Sequence, residues 1–217
     1  MTKTRVLRLC VPGVLLTVWA WWIPRTVGGA TVLAPGTSLD SRVLRPGDII
    51  LRRGRDAVSA VVLTADSGSR YSHVGIIVPL GRLLGVAHAL PEDATHPEGR
   101  VLVEPIGEFL SPEKASELAV YRLREHPDEE TAGQASRLAL RYVRERRSFD
   151  GDFDLETPEK LYCSELVWRA FQEAGIDLLD GRFSRLTLPL RSGDFVLPSS
   201  FTTSPHLRLV LRKDHGS

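Results

Sequence analysis

The chain has 217 residues, enough for one domain with a sizeable core. A hydrophobic fraction of 42% and a charged fraction of 25% are those of an ordinary folded protein, which argues against a disordered or fibrous chain. Lys and Arg number 28 against 27 Asp and Glu, so the formal charge of +1 gives no electrostatic reason to expect a nucleic-acid partner.

Lys3, Arg5 and Arg8 precede an apolar run from Leu9 to Ile23, and Val27-Gly28-Gly29-Ala30 offers small side chains for cleavage. That order is the pattern of a secretory signal. The run, at about 15 residues, falls short of the roughly 20 needed to span a bilayer. Its tryptophans and Pro24 also suit an interfacial anchor. Residues 1–30 are therefore expected to be a signal peptide or an N-terminal membrane anchor, with membrane association through residues 9–23. The expected location is periplasmic, extracellular, or on the outward side of the cytoplasmic membrane. Residues 31–43, rich in Pro, Gly, Ser and Thr, read as a linker. Residues 44–217 are the expected folded domain.

Within it, Pro46-Gly47-Asp48 is turn chemistry and Ile49-Ile50-Leu51 a short buried strand. Asp56 to Thr64 suits a short helix. Val74–Val78 and Leu83–Leu90 read as two strands of a hairpin whose loop is 79–82. Val101–Glu104 is a third strand, stopped by Pro105. Ser111-Pro112-Glu113 begins a short helix or turn, and Ala119–Leu123 another strand. Residues 129–147 carry Ala132, Ala135, Leu138, Ala139, Tyr142 and Val143 on one helical face. After the acidic, aromatic loop 148–158, a helix starts near Cys163 and ends at Gly175. Leu207–Leu211 is the last strand. Strands precede the main helices, so the class is α+β.

Only two cysteines occur, Cys10 in the leader and Cys163. A lone thiol in an exported chain is either an intermolecular partner or a reactive sulfur. A helix start favours the thiolate. On the helix, Cys163, Val167, Ala170, Phe171 and Ala174 share one stripe; Glu165, Arg169, Gln172 and Glu173 share the other. A thiol nucleophile needs a base and a group that orients the base. His73, at the entry to the first hairpin strand, is the candidate base. Gly75 lies on its face, leaving room for the cysteine helix to approach. With loop 79–82, paired residues sum to about 161, which sets His73 directly opposite His88 as its orienter. Singly, an inward cysteine is a small hydrophobe and a strand-end histidine a structural residue. Together, a helix-start cysteine and two histidines on one face point to chemistry.

Gly47-Asp48-Ile49-Ile50, Tyr71-Ser72-His73-Val74-Gly75-Ile76 and Tyr162-Cys163-Ser164-Glu165-Leu166-Val167 resemble the three signatures of the permuted NlpC/P60 papain-like amidases, the YaeF/YiiX group. They stand in the permuted order, histidine before cysteine, and the resemblance spans residues 44–200. It implies a circularly permuted papain-like fold, an antiparallel sheet packed against helices, with Cys163 as nucleophile and His73 as base. The third catalytic position falls on His88, where the group commonly has Glu; Glu104 on the following strand competes for the role. The implied reaction is acyl transfer, with a Cys163 thiolate paired to protonated His73 and the helix N-terminus at the oxyanion. Tyr162 either donates to the oxyanion or packs, and Tyr71 is a weaker candidate of the same kind.

No cofactor is expected. His73, His88 and Glu104 have zinc-ligand chemistry, yet no H-E-x-x-H or paired C-x-x-C spacing accompanies them, so no metal is expected either. His96, His126, His206 and His215 read as solvated loop residues. Arg141, Arg144 and Arg147 read as a solvated helix face, with phosphate or lipid headgroups as the alternative. Three functions remain open: an extracytoplasmic cysteine amidase or peptidase acting on a small molecule or cell-wall peptide, a lipid ester or amide acyl hydrolase or acyltransferase, and a non-catalytic binding module.

Overall fold

A computed structural model describes residues 41–92, 97, 99–124, 129–187 and 192–214. The leader, most of the linker, Cys10, His96, His126 and His215 lie outside the described residues. In chain order the elements are β1 (Ile49–Gly54), α1 (Ala57–Ala65), β2 (His73–Leu80), β3 (Leu83–Leu90), β4 (Arg100–Pro105), α2 (Ile106–Phe109), β5 (Ala115–Leu123), α3 (Glu129–Arg144), β6 (Ser148–Phe149), β7 (Lys160–Leu161), α4 (Cys163–Glu173), β8 (Ser184–Thr187), β9 (Ser192–Phe195), α5 (Pro198–Thr202) and β10 (Leu207–Asp214). Six strands form one antiparallel sheet in the order β10-β5-β1-β2-β3-β4. The α+β class and the antiparallel sheet packed against helices are as expected.

Both faces of the sheet are covered, which is why its central strands read as continuous apolar runs. Val74, Ile76 and Val78 of β2 join Ala135, Ala139 and Tyr142 of α3 and Leu166, Val167 and Phe171 of α4 in the larger core. Ile50, Ile77 and Val86 face a smaller core with Ile106, Phe109 and Leu110, on the side away from α4. α4 ends as anticipated: Gly175 takes φ +98°, and the Ile176 N–H reaches the Phe171 carbonyl at 3.0 Å.

Three expectations are corrected. The hairpin turn is Gly81-Arg82, because β2 runs on through Pro79 and Leu80 to pair Leu80 with Leu83. Paired residues such as Ile76 and Ala87 therefore lie two positions from the expected register. Side chains alternate with period two, so this slip keeps every residue on its face, and His73 becomes a diagonal neighbour of His88. Gly75 does not admit the cysteine helix. Its face is that of Ile50, its β1 partner, and a Cβ there would sit 2.5 Å from Val86 Cγ1 and 3.1 Å from His88 Cβ. Finally, Glu165 is fully buried, not on a polar stripe.

Candidate active site

The polar face opposite α4 is assembled strand by strand. Arg52 of β1 pairs directly with His73 of β2. The room left by Gly75 lets the His73 and His88 rings meet edge-on, with centroids 5.0 Å apart and an interplanar angle of 83°. His73 Nε2 and His88 Nδ1 are hydrogen bonded at 2.8 Å. Next in line, His88 Nε2 lies 3.5 Å from Glu104 Oε2, and neither buried atom has a closer partner. Lys114 donates to Glu104 Oε1. Arg52 Nη1 donates to the Phe109 carbonyl at 2.7 Å and lies 3.9 Å from Glu104 Oε2. The Phe109 ring fills the space between, 4.4 Å from the guanidinium and 5.1 Å from the His88 ring. His88 and Glu104, which the sequence leaves as competitors, thus stand in series behind His73.

Charge fixes the protons along this row. Burial works against ionisation of Glu104, but hydrogen bonds from His88 and Lys114 outweigh it and hold the carboxyl at about 2. An ionised Glu104 only accepts, so His88 presents Nε2–H to it and keeps Nδ1 as an acceptor. His73 must then donate Nε2–H to that acceptor, which leaves its Nδ1 as a free base. Burial pushes His73 well below its ordinary range, and the nearby Arg52 and His88 push the same way.

Cys163 is the first residue of α4, and Tyr162 precedes it in extended conformation. The Glu165 side chain turns back to accept the Tyr162 N–H at 3.4 Å and pairs with Arg169 at 2.7 Å. Burial still raises Glu165 to about 7. Burial likewise pushes the Cys163 thiol up, against the lowering effect of Ser164 and of the Val74 backbone. The ease of ionisation expected at a helix start is therefore outweighed, and thiol and imidazole rest neutral. Tyr162 is buried, and its hydroxyl accepts the Val196 N–H at 2.9 Å, which fixes the ring as a wall.

Cys163 and His73 line one cleft of about 250 Å³. Its walls also take residues from 52–62, 89–92 and 149–153. His206 is paired to Asp180 at 2.6 Å, while Arg141 and Arg147 are tied into ion pairs with Glu145. Arg52, Phe109 and Lys114 escape a reading of the sequence; only the pairing of β1 with β2 brings Arg52 to His73. Among the described residues, no group of three or more His, Cys, Asp or Glu side chains is arranged to hold a metal ion.

A sheet-backed histidine and a helix-start cysteine sharing one cleft define a papain-like cysteine hydrolase with the histidine first in the chain. The chain belongs to the permuted papain-like amidase enzymes, the YaeF/YiiX, C92 family, whose model matches residues 43–211. It is accordingly a cysteine-type amidase. No curated protein matches it. Among solved structures, it is similar to metalloprotein yiiX from Escherichia coli O157:H7, with a TM-score of 0.63 and 22% identity over 78% of this chain and 97% of the other. That likeness carries the fold.

Proposed function

We propose that this amidase hydrolyses a peptide or N-acyl amide outside the cytoplasm, with Cys163 as nucleophile, His73 as base and His88 and Glu104 as successive orienters. The observation that carries the reading is the row in which His73 is hydrogen bonded to His88 and His88 lies 3.5 Å from Glu104, with His73 in the cleft that holds Cys163. The sulfur attacks the carbonyl carbon as His73 Nδ1 takes the thiol proton. The C–N bond breaks, the amine leaves with that proton, and a Cys163 thioester remains. Water then adds, again giving a proton to His73; the C–S bond breaks, the sulfur recovers its proton and the carboxylic acid departs. The N–H groups at the start of α4 stabilise the oxyanion. The apolar run at residues 9–23 supports export or membrane attachment of the domain.

The neighbour yiiX is described as a metalloprotein. In this chain the His73 and His88 nitrogens that face each other already share a hydrogen bond, so we assign them to proton handling. The test is amide hydrolysis by the full chain and by Cys163→Ala. A loss of at least about 10³-fold on removing the nucleophile, together with a thioester trapped on Cys163, supports the reading. Undiminished hydrolysis by Cys163→Ala would remove it.

A further inference from the structure

Arg52 is a cation withdrawn from water and weakly paired. It is 5% exposed, and its Nε is buried with no hydrogen-bond partner. Nη1 donates to the Phe109 carbonyl at 2.7 Å, and the Phe109 ring lies 4.4 Å from the guanidinium. Glu104 Oε2 stands 3.9 Å from Nη1, beyond hydrogen-bond reach, and the same carboxylate already answers Lys114 and His88. Two further acids line the cleft with Arg52: Asp56 accepts the Ser59 N–H and hydroxyl at 2.7 and 3.1 Å, and Glu92 is exposed. Burial outweighs the help of Glu104 and Asp56 and pushes the guanidinium below its ordinary value.

A buried charge with an unused donor is costly to keep, and an arriving anion offsets that cost. The planar fork of a guanidinium matches a carboxylate. Arg52 is placed to meet one beside the reacting atoms. It lines the cleft that holds Cys163 and His73, and it is the direct cross-strand partner of His73, with Cα atoms about 5 Å apart. His73 gives its proton to the leaving amine, so the amine portion of the substrate is the part brought to His73 and its neighbour.

We propose that Arg52 binds a carboxylate on the amine portion of the substrate, so that the bond cleaved joins an acyl group to an amino acid whose α-carboxylate is free. This rests on the Cys163 reading above and names its leaving group. The balance is unchanged: the C–N bond breaks, the proton passes through His73, and an N-acyl amino acid and water give a carboxylic acid and the amino acid.

The experiment compares hexanoylglycine with hexanoylglycinamide, which differ in charge only at the group Arg52 binds, by release of the amine. Wild-type kcat/KM favours the acid about ten- to hundredfold, the factor that a hydrogen bond to a charged group supplies. Arg52→Gln brings the ratio to about one, and Arg52→Lys, which keeps the charge, retains part of it, with thermal melts showing that each variant is folded. The ratio is the readout because Arg52 also neighbours His73, and a disturbed base slows both compounds alike. Competition against acylation of Cys163 by p-nitrophenyl acetate reads the same preference without turnover, hexanoylglycine being the stronger inhibitor. A wild-type ratio near one would overturn the proposal. So would a preference that survives Arg52→Gln, including an equal fall on both compounds, since Arg52 would then act on His73 alone. The two readings fail differently: Cys163-dependent turnover without a preference removes only the carboxylate, whereas turnover indifferent to Cys163→Ala removes the nucleophile.

Discussion

Each neutral imidazole has one donor and one acceptor nitrogen, so a carboxylate can dictate the tautomer of a histidine it does not touch. Glu104, held ionised by His88 and Lys114, does this to His73 through His88. A glutamine in its place carries an NH2 donor, which allows His88 to reverse and present Nδ1–H to His73. Glu104→Gln should therefore lower kcat by about 10²-fold or more with little change in KM, since the wrong tautomer disables a base without altering the cleft. An unchanged kcat would show that the row does not work as one unit. The sequence offers His73, His88 and Glu104 as separate candidates, and the identity of the residues was legible there. Their order was not, because it depends on diagonal contacts across three strands.

Among the elements, the β2–β3 hairpin decides whether that row exists. Pro79 usually marks a strand end, and for that reason Pro79-Leu80-Gly81-Arg82 reads as a four-residue loop. Pro79 instead stays paired opposite Leu84 near the end of β2, and Gly81 at φ +61° begins the turn. The resulting two-residue shift was harmless to the site because faces repeat every second residue; a shift of one would have separated the histidines. The α4 stripe was legible from periodicity, but the burial of Glu165 was not, since Arg169 and the Tyr162 N–H compensate it only in the folded chain. Gly75 is the structural key of the hairpin. Gly75→Ala drives a Cβ into Val86 and against His88. It should cost about 1–3 kcal/mol of stability and reduce activity with it, as read by urea melts and turnover; a fully stable, active variant would contradict the placement of His88.

Across the whole molecule, burial of ionisable groups beneath the site links stability to pH. Glu165 titrates at about 7 in the fold against a reference value of 4.5, so the folded chain holds a proton that the unfolded chain has released. Its contribution is fully present below pH 4.5 and is lost as pH rises through 7. Glu165→Gln cannot undergo that loss. The stability difference between variant and wild type should therefore move in favour of the variant between pH 5 and pH 8 in urea melts; a difference that stays constant would mean that Glu165 titrates normally. The doubly covered sheet explains why the central strands are readable from apolar runs, while the β8–β9 hairpin and the two-residue β6 and β7, which lack such runs, were not. The decisive step is proton transfer from a neutral Cys163 thiol to a neutral His73. Its most direct test is the pH dependence of the single-turnover acylation of Cys163 by an acyl p-nitrophenyl ester, followed by intact mass. In the wild type, acylation should stay fast down to an acid limb well below pH 6.5, and His73→Ala should abolish both the limb and the fast reaction. Acylation that survives His73→Ala, or that rises only as a free thiol ionises near pH 8.5, would contradict it.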